Sequence, residues 1–379
     1  MMTLKFVLAP DSFKDSASAI EICEAMEEGI RRVFPDSNVL HVPMADGGEG
    51  STAAIVNATG GQFIKRTVQG PLGEQVEATI GIHGDGETAV IEMATASGLP
   101  LVDPADRNPY YTTTYGTGEL IRYCLDEGMT SIILCIGGSA TNDGGVGMAQ
   151  ALGYQFKDQD GNEINRGGIH LKDIVSIDSS NVHPNLADCE ICIASDVNNP
   201  LTGPEGASAV FGPQKGATPE MVRELDAALS NLDQVIQKDL NKSINDIPGA
   251  GGAGGLGGGL LAFTNSTLQR GVDLIVDATN LKAKLADADY CFTGEGQIDF
   301  QTKYGKTPYG VLQAAKEVDD EIKVIAICGS VGEGLEELYE VGFDGIFGTI
   351  ASMADYETII KDTTLNVARV SEAVARLIK

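Results

Sequence analysis

The sequence has few basic residues and no long apolar run. Its 379 residues include 26 Lys and Arg against 54 Asp and Glu, a formal net charge of −28. Such a surface repels a phosphate backbone, which argues against a nucleic-acid-binding protein. No run of about 18 apolar residues exists, so no membrane-spanning helix is predicted. The N-terminal apolar run is short and interrupted by Asp11; we expect no signal peptide and a cytoplasmic location.

Cysteine and histidine are too scattered to predict a disulfide framework or a zinc site. The seven cysteines are an odd number without framework spacing, which indicates reduced, mostly buried thiols. Cys189 and Cys192 form a CxxC inside an expected strand, where residues three apart point to opposite faces. Buried core cysteines are therefore favoured there over a redox or metal pair. No ligand-spaced pair occurs among the histidines, which are His41, His83, His170 and His183.

Strands and helices alternate at both ends of the chain. Residues 4–9, LKFVLA, form a strand-like apolar run, and the next segment has helical spacing at Ile22, Met26 and Ile30. Ser18 and Glu21 match a capping box at the start of that helix. The segment from 288 onward repeats the rhythm. The pattern predicts an α/β protein with a doubly wound, Rossmann- or flavodoxin-like parallel sheet.

The middle of the chain has a different pattern. Between 62 and 93, strand-like runs alternate with turn signals, which predicts antiparallel pairs. Farther along, strands and helices alternate again, and a long helix is expected near 219–240. We therefore predict a discontinuous domain from 1–61 and 288–379, with a second α/β domain, 62–287, inserted into it.

Polar residues follow the predicted strands in five glycine-rich turns. In open α/β sheets, ligands bind at the carboxyl ends of strands, where helix N-termini favour phosphate. Each residue taken singly is more often a solvated turn residue, but together they predict a phosphate-handling site. The carboxylates are Asp46, Glu49, Asp143, Asp196, Glu295 and Asp299, and the lysines are Lys14, Lys215, Lys303 and Lys306.

The most unusual segment is PGAGGAGGLGGGLLAF, at 248–263. It matches GxGxxG twice, but no clear strand precedes it, so a dinucleotide fingerprint is not supported. A P-loop fails as well, because Phe300 stands where the first glycine before Gly305-Lys306-Thr307 should be. Three explanations stay open for the glycines: a backbone cradle for phosphate, tight helix packing, or a linker.

Several long blocks together resemble the glycerate kinase family of the first type. The matching segments include APDSFKDSASA, VPMADGGEGS, GGSATNDGGVGMAQALG, SDVNNPLTGPEGASAVFGPQKGA and FTGEGQIDFQTKYGKTP. The resemblance implies ATP-dependent phosphorylation of D-glycerate with Mg²⁺, at the 2-hydroxyl. It also implies two α/β domains, one inserted in the other, with the site in the cleft between them.

The resemblance does not fix individual roles, so these are hypotheses. Asp196 is the expected base for the glycerate hydroxyl, with Asp46 and Asp143 as the alternatives for that role. Lys14 is a second expected catalytic residue. Substrate binding is assigned to Ser12, Arg107, Asp46 and Asp143, with Arg107 clamping the carboxylate. Mg²⁺ is assigned to Glu295 and Asp299. The nucleotide phosphates are assigned to Lys306, Gly251, Gly252, Gly254, Gly255, Gly257 and Gly258.

Other functions stay open at this point. Within kinases, the alternatives are a glycerate 3-kinase or a kinase for another small hydroxy acid. Outside them, a non-catalytic two-lobed binding protein and a nicotinamide oxidoreductase are the rivals. The expected partners are small molecules, ATP and D-glycerate, with neither nucleic acid nor membrane. The sequence does not determine the oligomeric state, and a homodimer stays open.

Overall fold

The computed structural model describes residues 4–350 and 355–379 and divides the chain into two compact units. Unit 1 consists of Met1–Asp46, Ala53–Gly60 and Gly271–Lys379. Unit 2 consists of Gly47–Thr52 and Gly61–Arg270. The expected division placed the return to the first domain at 288, whereas the chain returns at Gly271. The difference is two helices, at 271–278 and 281–285, that belong to unit 1.

The regular elements are as follows. The strands are β1 (Lys5–Pro10), β2 (Asn38–His41), β3 (Gln62–Gln69), β4 (Gln75–Ile82), β5 (Thr88–Glu92), β6 (Ser131–Cys135), β7 (Gln155–Lys157), β8 (Ser176–Asp178), β9 (Glu190–Ala194), β10 (Ser266–Gln269), β11 (Tyr290–Gly294), β12 (Gln297–Ile298), β13 (Lys323–Cys328), β14 (Ser330–Val331) and β15 (Gly345–Gly348). The helices are α1 (Ala19–Arg31), α2 (Ser51–Thr59), α3 (Ala94–Ser97), α4 (Tyr115–Asp126), α5 (Val146–Ala151), α6 (Ala207–Phe211), α7 (Pro219–Leu240), α8 (Leu256–Phe263), α9 (Gly271–Ala278), α10 (Leu281–Leu285), α11 (Thr307–Val318), α12 (Glu336–Glu340), α13 (Tyr356–Lys361) and α14 (Thr363–Ile378).

The main sheet of unit 1 is parallel throughout, with strand order β15-β13-β11-β1-β2. Numbered along the chain within this sheet, the order is 2-1-3-4-5, the flavodoxin-like arrangement. Phe6 and Leu8 of β1 join a core with α1 and α14, while the alternate residue Val7 is buried outside that cluster. Both faces of the sheet are therefore covered, as a doubly wound fold requires. The predicted fold class is confirmed.

Helix α1 shows how the local sequence sets an element. The Ser18 side chain accepts from the Glu21 backbone N–H, and the Glu21 carboxylate accepts from the Ser18 N–H, so the predicted capping box is present. Such a cap stabilises a helix by about 1 kcal/mol. The apolar residues that predicted the helix are buried, with Ile22, Met26 and Ile30 each 0% exposed.

The main sheet of unit 2 is mixed, with order β10-β9-β6-β5-β4-β3. The first four strands run parallel, and β4 and β3 add antiparallel pairs, as the turn signals between 62 and 93 predicted. The predicted long helix is α7, which begins after the N-cap Thr218 and ends at Leu240, followed by the C-cap Asn241 in the left-handed region. Among the described residues, no helix combines the length and apolar character needed to cross a bilayer.

The cysteines are free thiols. Six are buried, and Cys192 is half-buried in β9. Cys189 precedes that strand and does not pair with Cys192.

Candidate active site

The strand order of unit 1 places its switch point between β1 and β11. The carboxyl ends of the two neighbouring strands that flank such a point form the usual ligand site of a doubly wound sheet. Asp11 directly follows β1, and Glu295 directly follows β11. The backbone N–H of Asp11 donates to the Gly294 carbonyl over 2.8 Å, so the two strand ends stay together past the last pairing.

Asp11 is a half-buried carboxylate with three donors. The Thr307 hydroxyl donates to its Oδ2 over 2.6 Å, and the Ser12 N–H and hydroxyl donate to its Oδ1 over 2.6 and 3.3 Å. Burial raises the pKa of Asp11 to about 6, and the charge of Asp46 adds to the rise, against these hydrogen bonds. The sequence prediction did not include Asp11. Its position after β1 was a signal, but Thr307, its partner at the start of α11, is 296 residues away.

Glu295 occupies a similar environment. The Thr302 hydroxyl donates to its Oε1 over 2.9 Å, and the Lys306 ammonium lies 3.5 Å from its Oε2. Burial raises the pKa of Glu295 to about 7; the Lys306 charge and the Thr302 hydrogen bond oppose the rise, whereas the charge of Asp11 adds to it. Two interacting carboxyls that titrate near neutral pH at a switch point are typical of a functional site.

Two lysines predicted from the sequence, Lys306 and Lys14, also lie in unit 1 near the end of β11. Lys306 is the N-cap of α11, whose first turn offers backbone N–H groups and a positive dipole end. Lys14 is exposed in a tight loop closed by pairing of Phe13 with Ala17. A Cβ at Gly296 would lie 3.8 Å from the Lys14 backbone nitrogen, so this loop adjoins the segment that follows β11.

Asp299 and Lys303 are used locally. The Asp299 side chain caps the short helical turn 300–304 by accepting from the Gln301 N–H over 2.9 Å. Lys303 forms an ion pair with Glu337. The predicted metal role of Asp299 is not tested by these contacts, but its carboxylate already has a structural partner.

In unit 2, the loop after β6 contains a fully buried carboxylate, Asp143. It accepts from the Thr114 N–H over 2.8 Å, from the Thr114 hydroxyl over 2.9 Å, and from the N–H groups of Gly145 and Gly147 over 3.2 Å each. Burial raises its pKa against these hydrogen bonds. Asp143 is 1% exposed, so its carboxylate holds the α4 and α5 starts together. Substrate contact by Asp143 stays a prediction.

Unit 2 also contains Asp196, Arg107 and Lys215, which were predicted from the sequence. Asp196 follows β9 by two residues and is exposed. Arg107 is half-buried, and its Nε is a buried atom without a hydrogen-bond partner among the described residues. The sequence placed Lys215 only among the strand-end lysines, without a role. It is 2% exposed and donates to the Ser139 hydroxyl over 2.7 Å and to the Thr141 carbonyl over 2.6 Å.

The glycine stretch lies in unit 2 and packs closely against backbone. A Cβ at Gly254 would lie 1.9 Å from the Thr141 carbonyl oxygen, and one at Gly251 would lie 2.2 Å from the Pro200 carbonyl oxygen. The N–H groups of Gly252, Gly257 and Gly258 donate to carbonyls of the same stretch. Close packing, one of the three explanations that the sequence left open, accounts for these glycines; phosphate binding by them stays a prediction.

Comparisons with known proteins agree with one another over nearly the whole chain. Residues 6–379 match the model of the glycerate kinase family. Glycerate kinase from Haemophilus influenzae is 50% identical over 99% of both chains, and glycerate 2-kinase from Escherichia coli is 47% identical over 98% of this chain and 97% of its own. A crystal structure assigned as glycerate kinase 2 from Salmonella typhimurium LT2 superposes with a TM-score of 0.91 at 48% identity, covering 99% of this chain and 98% of that one. The resemblance drawn from the sequence motifs is confirmed: the chain belongs to the glycerate kinase family and is a kinase.

Proposed function

We propose that the protein transfers the terminal phosphoryl group of ATP to the 2-hydroxyl of D-glycerate, giving 2-phosphoglycerate and ADP. The observation that carries the proposal is the 47% identity over 372 residues to a protein named glycerate 2-kinase. Family membership does not support the oxidoreductase and non-catalytic alternatives. The experiment must therefore distinguish the proposed reaction from two alternatives, a glycerate 3-kinase and a kinase for another small hydroxy acid.

The switch point of unit 1 supports the phosphate side of this reaction. Phosphoryl transfer needs little covalent chemistry from the protein, because positioning and neutralisation of charge supply most of the acceleration. Lys306 and the first turn of α11 provide positive charge beside Asp11 and Glu295. We assign ATP phosphates to Lys306 and the α11 start, and place Ser12 and Lys14 against the transferred group.

The same carboxylates suit Mg²⁺. The described residues contain no group of three or more His, Cys, Asp or Glu side chains that could hold a metal ion by themselves. Mg²⁺ bound to a nucleotide needs only one or two carboxylates, because phosphates and waters complete its shell. Asp11 and Glu295 would hold it, with Asp299 as the remaining predicted ligand. When bound, the ion neutralises charge on the phosphates.

Unit 2 supports the hydroxy-acid side. Asp196, exposed after β9, is the proposed base that takes the proton of the 2-hydroxyl. Arg107, whose Nε is without a partner among the described residues, is the proposed clamp for the carboxylate. Asp46 and Asp143 remain the alternative bases. The cytoplasmic location and the oligomeric state stay predictions.

A panel of acceptors tests the proposal. Purified protein with ATP and Mg²⁺ is supplied in turn with D-glycerate, L-glycerate, glycolate, lactate and glycerol, and ADP release is followed. We expect kcat/KM to be highest for D-glycerate. A higher value for another hydroxy acid would contradict the proposed substrate. A product identified by phosphorus NMR as 3-phosphoglycerate would contradict only the position.

A further inference from the structure

Lys215 is a buried cation whose hydrogen-bond partners are neutral. Its ammonium bonds to the Ser139 hydroxyl and the Thr141 carbonyl, both neutral acceptors. In the described part of the chain, no carboxylate forms an ion pair with it. Buried charges in proteins are ordinarily paired, because an isolated one loses several kcal/mol of solvation.

The carboxylate whose charge acts on Lys215 already accepts hydrogen bonds from other groups. Asp143 interacts with Lys215 electrostatically, but its oxygens accept from Thr114, Gly145 and Gly147. Burial lowers the pKa of Lys215 to about 7 in spite of Asp143. The protein alone therefore leaves this cation undercompensated, and an anionic ligand would complete it.

The segments around Lys215 also contain unpaired polar atoms. Among the described residues, Thr141 Oγ1, Asn142 Oδ1 and Arg107 Nε are buried without a hydrogen-bond partner. Thr141 and Asn142 are each 0% exposed. Gly216, next to Lys215, approaches Arg107 so closely that a Cβ would lie 2.2 Å from the Arg107 carbonyl oxygen. Buried polar groups without partners often mark a ligand or ordered water.

The Ser139 hydroxyl can link the Lys215 ammonium to a ligand by hydrogen bonds. It is 6% exposed, and its loop is fixed by the Gly98–Ser139 pairing and by the Ala140 N–H donating to the Ser97 carbonyl. Because Ser139 Oγ accepts from Lys215, the Ser139 hydroxyl hydrogen is left to donate. A hydroxyl polarised by a cation is a stronger donor to an anion.

We propose that Lys215 is a positioning residue for the substrate carboxylate: it orients the Ser139 hydroxyl, which donates to that carboxylate next to Arg107. The inference rests on the proposed function and assigns the carboxylate of the hydroxy acid to the loop after β6.

The test uses steady-state kinetics of the full chain with ATP, Mg²⁺ and D-glycerate. Lys215→Met and Ser139→Ala should each raise KM for D-glycerate about tenfold or more, since each removes a charge-assisted hydrogen bond or its orientation. KM for ATP should stay within about twofold. KM for D-glycerate in the double variant should be no higher than in Lys215→Met alone, because the two side chains act as one unit.

Lys242→Met is the control, at an exposed lysine of the same unit. Lys242 also lies in unit 2 and donates to two carbonyls, those of Leu261 and Ala262, over 3.1 and 2.7 Å. Its loss should leave KM for D-glycerate unchanged. The inference is wrong if Lys242→Met raises KM for D-glycerate as much as Lys215→Met does. It is also wrong if the KM effects of Lys215→Met and Ser139→Ala multiply in the double variant, or if KM for ATP rises instead.

Failure of the inference can be distinguished from misfolding of a variant and from failure of the proposed function. If Lys215→Met does not fold, Ser139→Ala is compared on D-glycerate and its neutral amide, glyceramide; an unchanged preference for the acid overturns the inference. If the wild type phosphorylates a different hydroxy acid, the proposed function fails, and the same variants on that acid and its amide still test the inference. A wild type that prefers glycerol overturns both.

Discussion

At the scale of single residues, ionisation of two carboxyls at the switch point of unit 1 opposes folding. Asp11 and Glu295 have pKa values raised to about 6 and about 7, chiefly by burial. A carboxyl with a raised folded pKa favours the folded state below its unfolded pKa. That contribution is lost as the pH rises through the folded value.

Asp11→Asn and Glu295→Gln should therefore stabilise the protein above about pH 7. The expected gain is about 1–2 kcal/mol each at pH 8, because the neutral amides avoid the cost of ionisation. At pH 4 the difference should vanish, since both native carboxyls are protonated there. Denaturant unfolding at the two pH values measures it, and equal effects at both would contradict the assignment.

The same two substitutions should lower kcat. Removal of a carboxylate that holds Mg²⁺ or neutralises phosphate charge removes transition-state stabilisation, with an expected loss of about 10²-fold or more. Higher stability with lower activity is the usual trade-off at a functional site. Activity within about twofold of the wild type would remove these residues from the site.

Asp196 provides a separate residue-scale prediction. Asp196→Asn should lower kcat by about 10²–10⁴-fold if Asp196 accepts the hydroxyl proton, and should leave the unfolding midpoint unchanged because the residue is exposed. Asp188→Asn is the control: Asp188 is also exposed but precedes β9, at its amino end. A comparable loss in Asp188→Asn, or none in Asp196→Asn, would contradict the role.

At the scale of elements, the glycine stretch at 248–263 is best explained by packing. Gly254 has φ +69°, and a Cβ there would lie 1.9 Å from the Thr141 carbonyl oxygen. Gly254→Ala should therefore destabilise unit 2 by about 3–4 kcal/mol. Gly128→Ala is the control, because Gly128 has φ +79° but nothing within 4 Å of a Cβ; it should cost about 1 kcal/mol. Equal costs in denaturant unfolding would remove the packing argument.

Elements were predictable where the pattern is local. The strand β1, the capping box of α1 and the length of α7 follow from period and end signals within a few residues. Contacts across the chain were not predictable. The pairing of Asp11 with Thr307 joins residues 296 positions apart, and nothing in either segment indicates that the carboxyl is buried.

At the scale of the whole molecule, the sequence predicted the α/β class. Its domain division, 1–61 and 288–379 around 62–287, differs from the two compact units in where the chain returns to the first one. Helix α9 is apolar on one face, and such a face shows that a helix packs against a core without showing which core. The structure assigns it to unit 1 from Gly271. A boundary between two α/β units is hard to predict for this reason, because both sides have the same local pattern.

The central claim is that this kinase phosphorylates the 2-hydroxyl of D-glycerate, and phosphorus NMR of the product tests it directly. With ATP, Mg²⁺ and D-glycerate, a phosphate on C2 couples to one carbon-bound hydrogen and gives a doublet. A phosphate on C3 couples to two and gives a triplet. The account predicts a growing doublet together with ADP. A triplet, or ADP without any new phosphate ester, would contradict it.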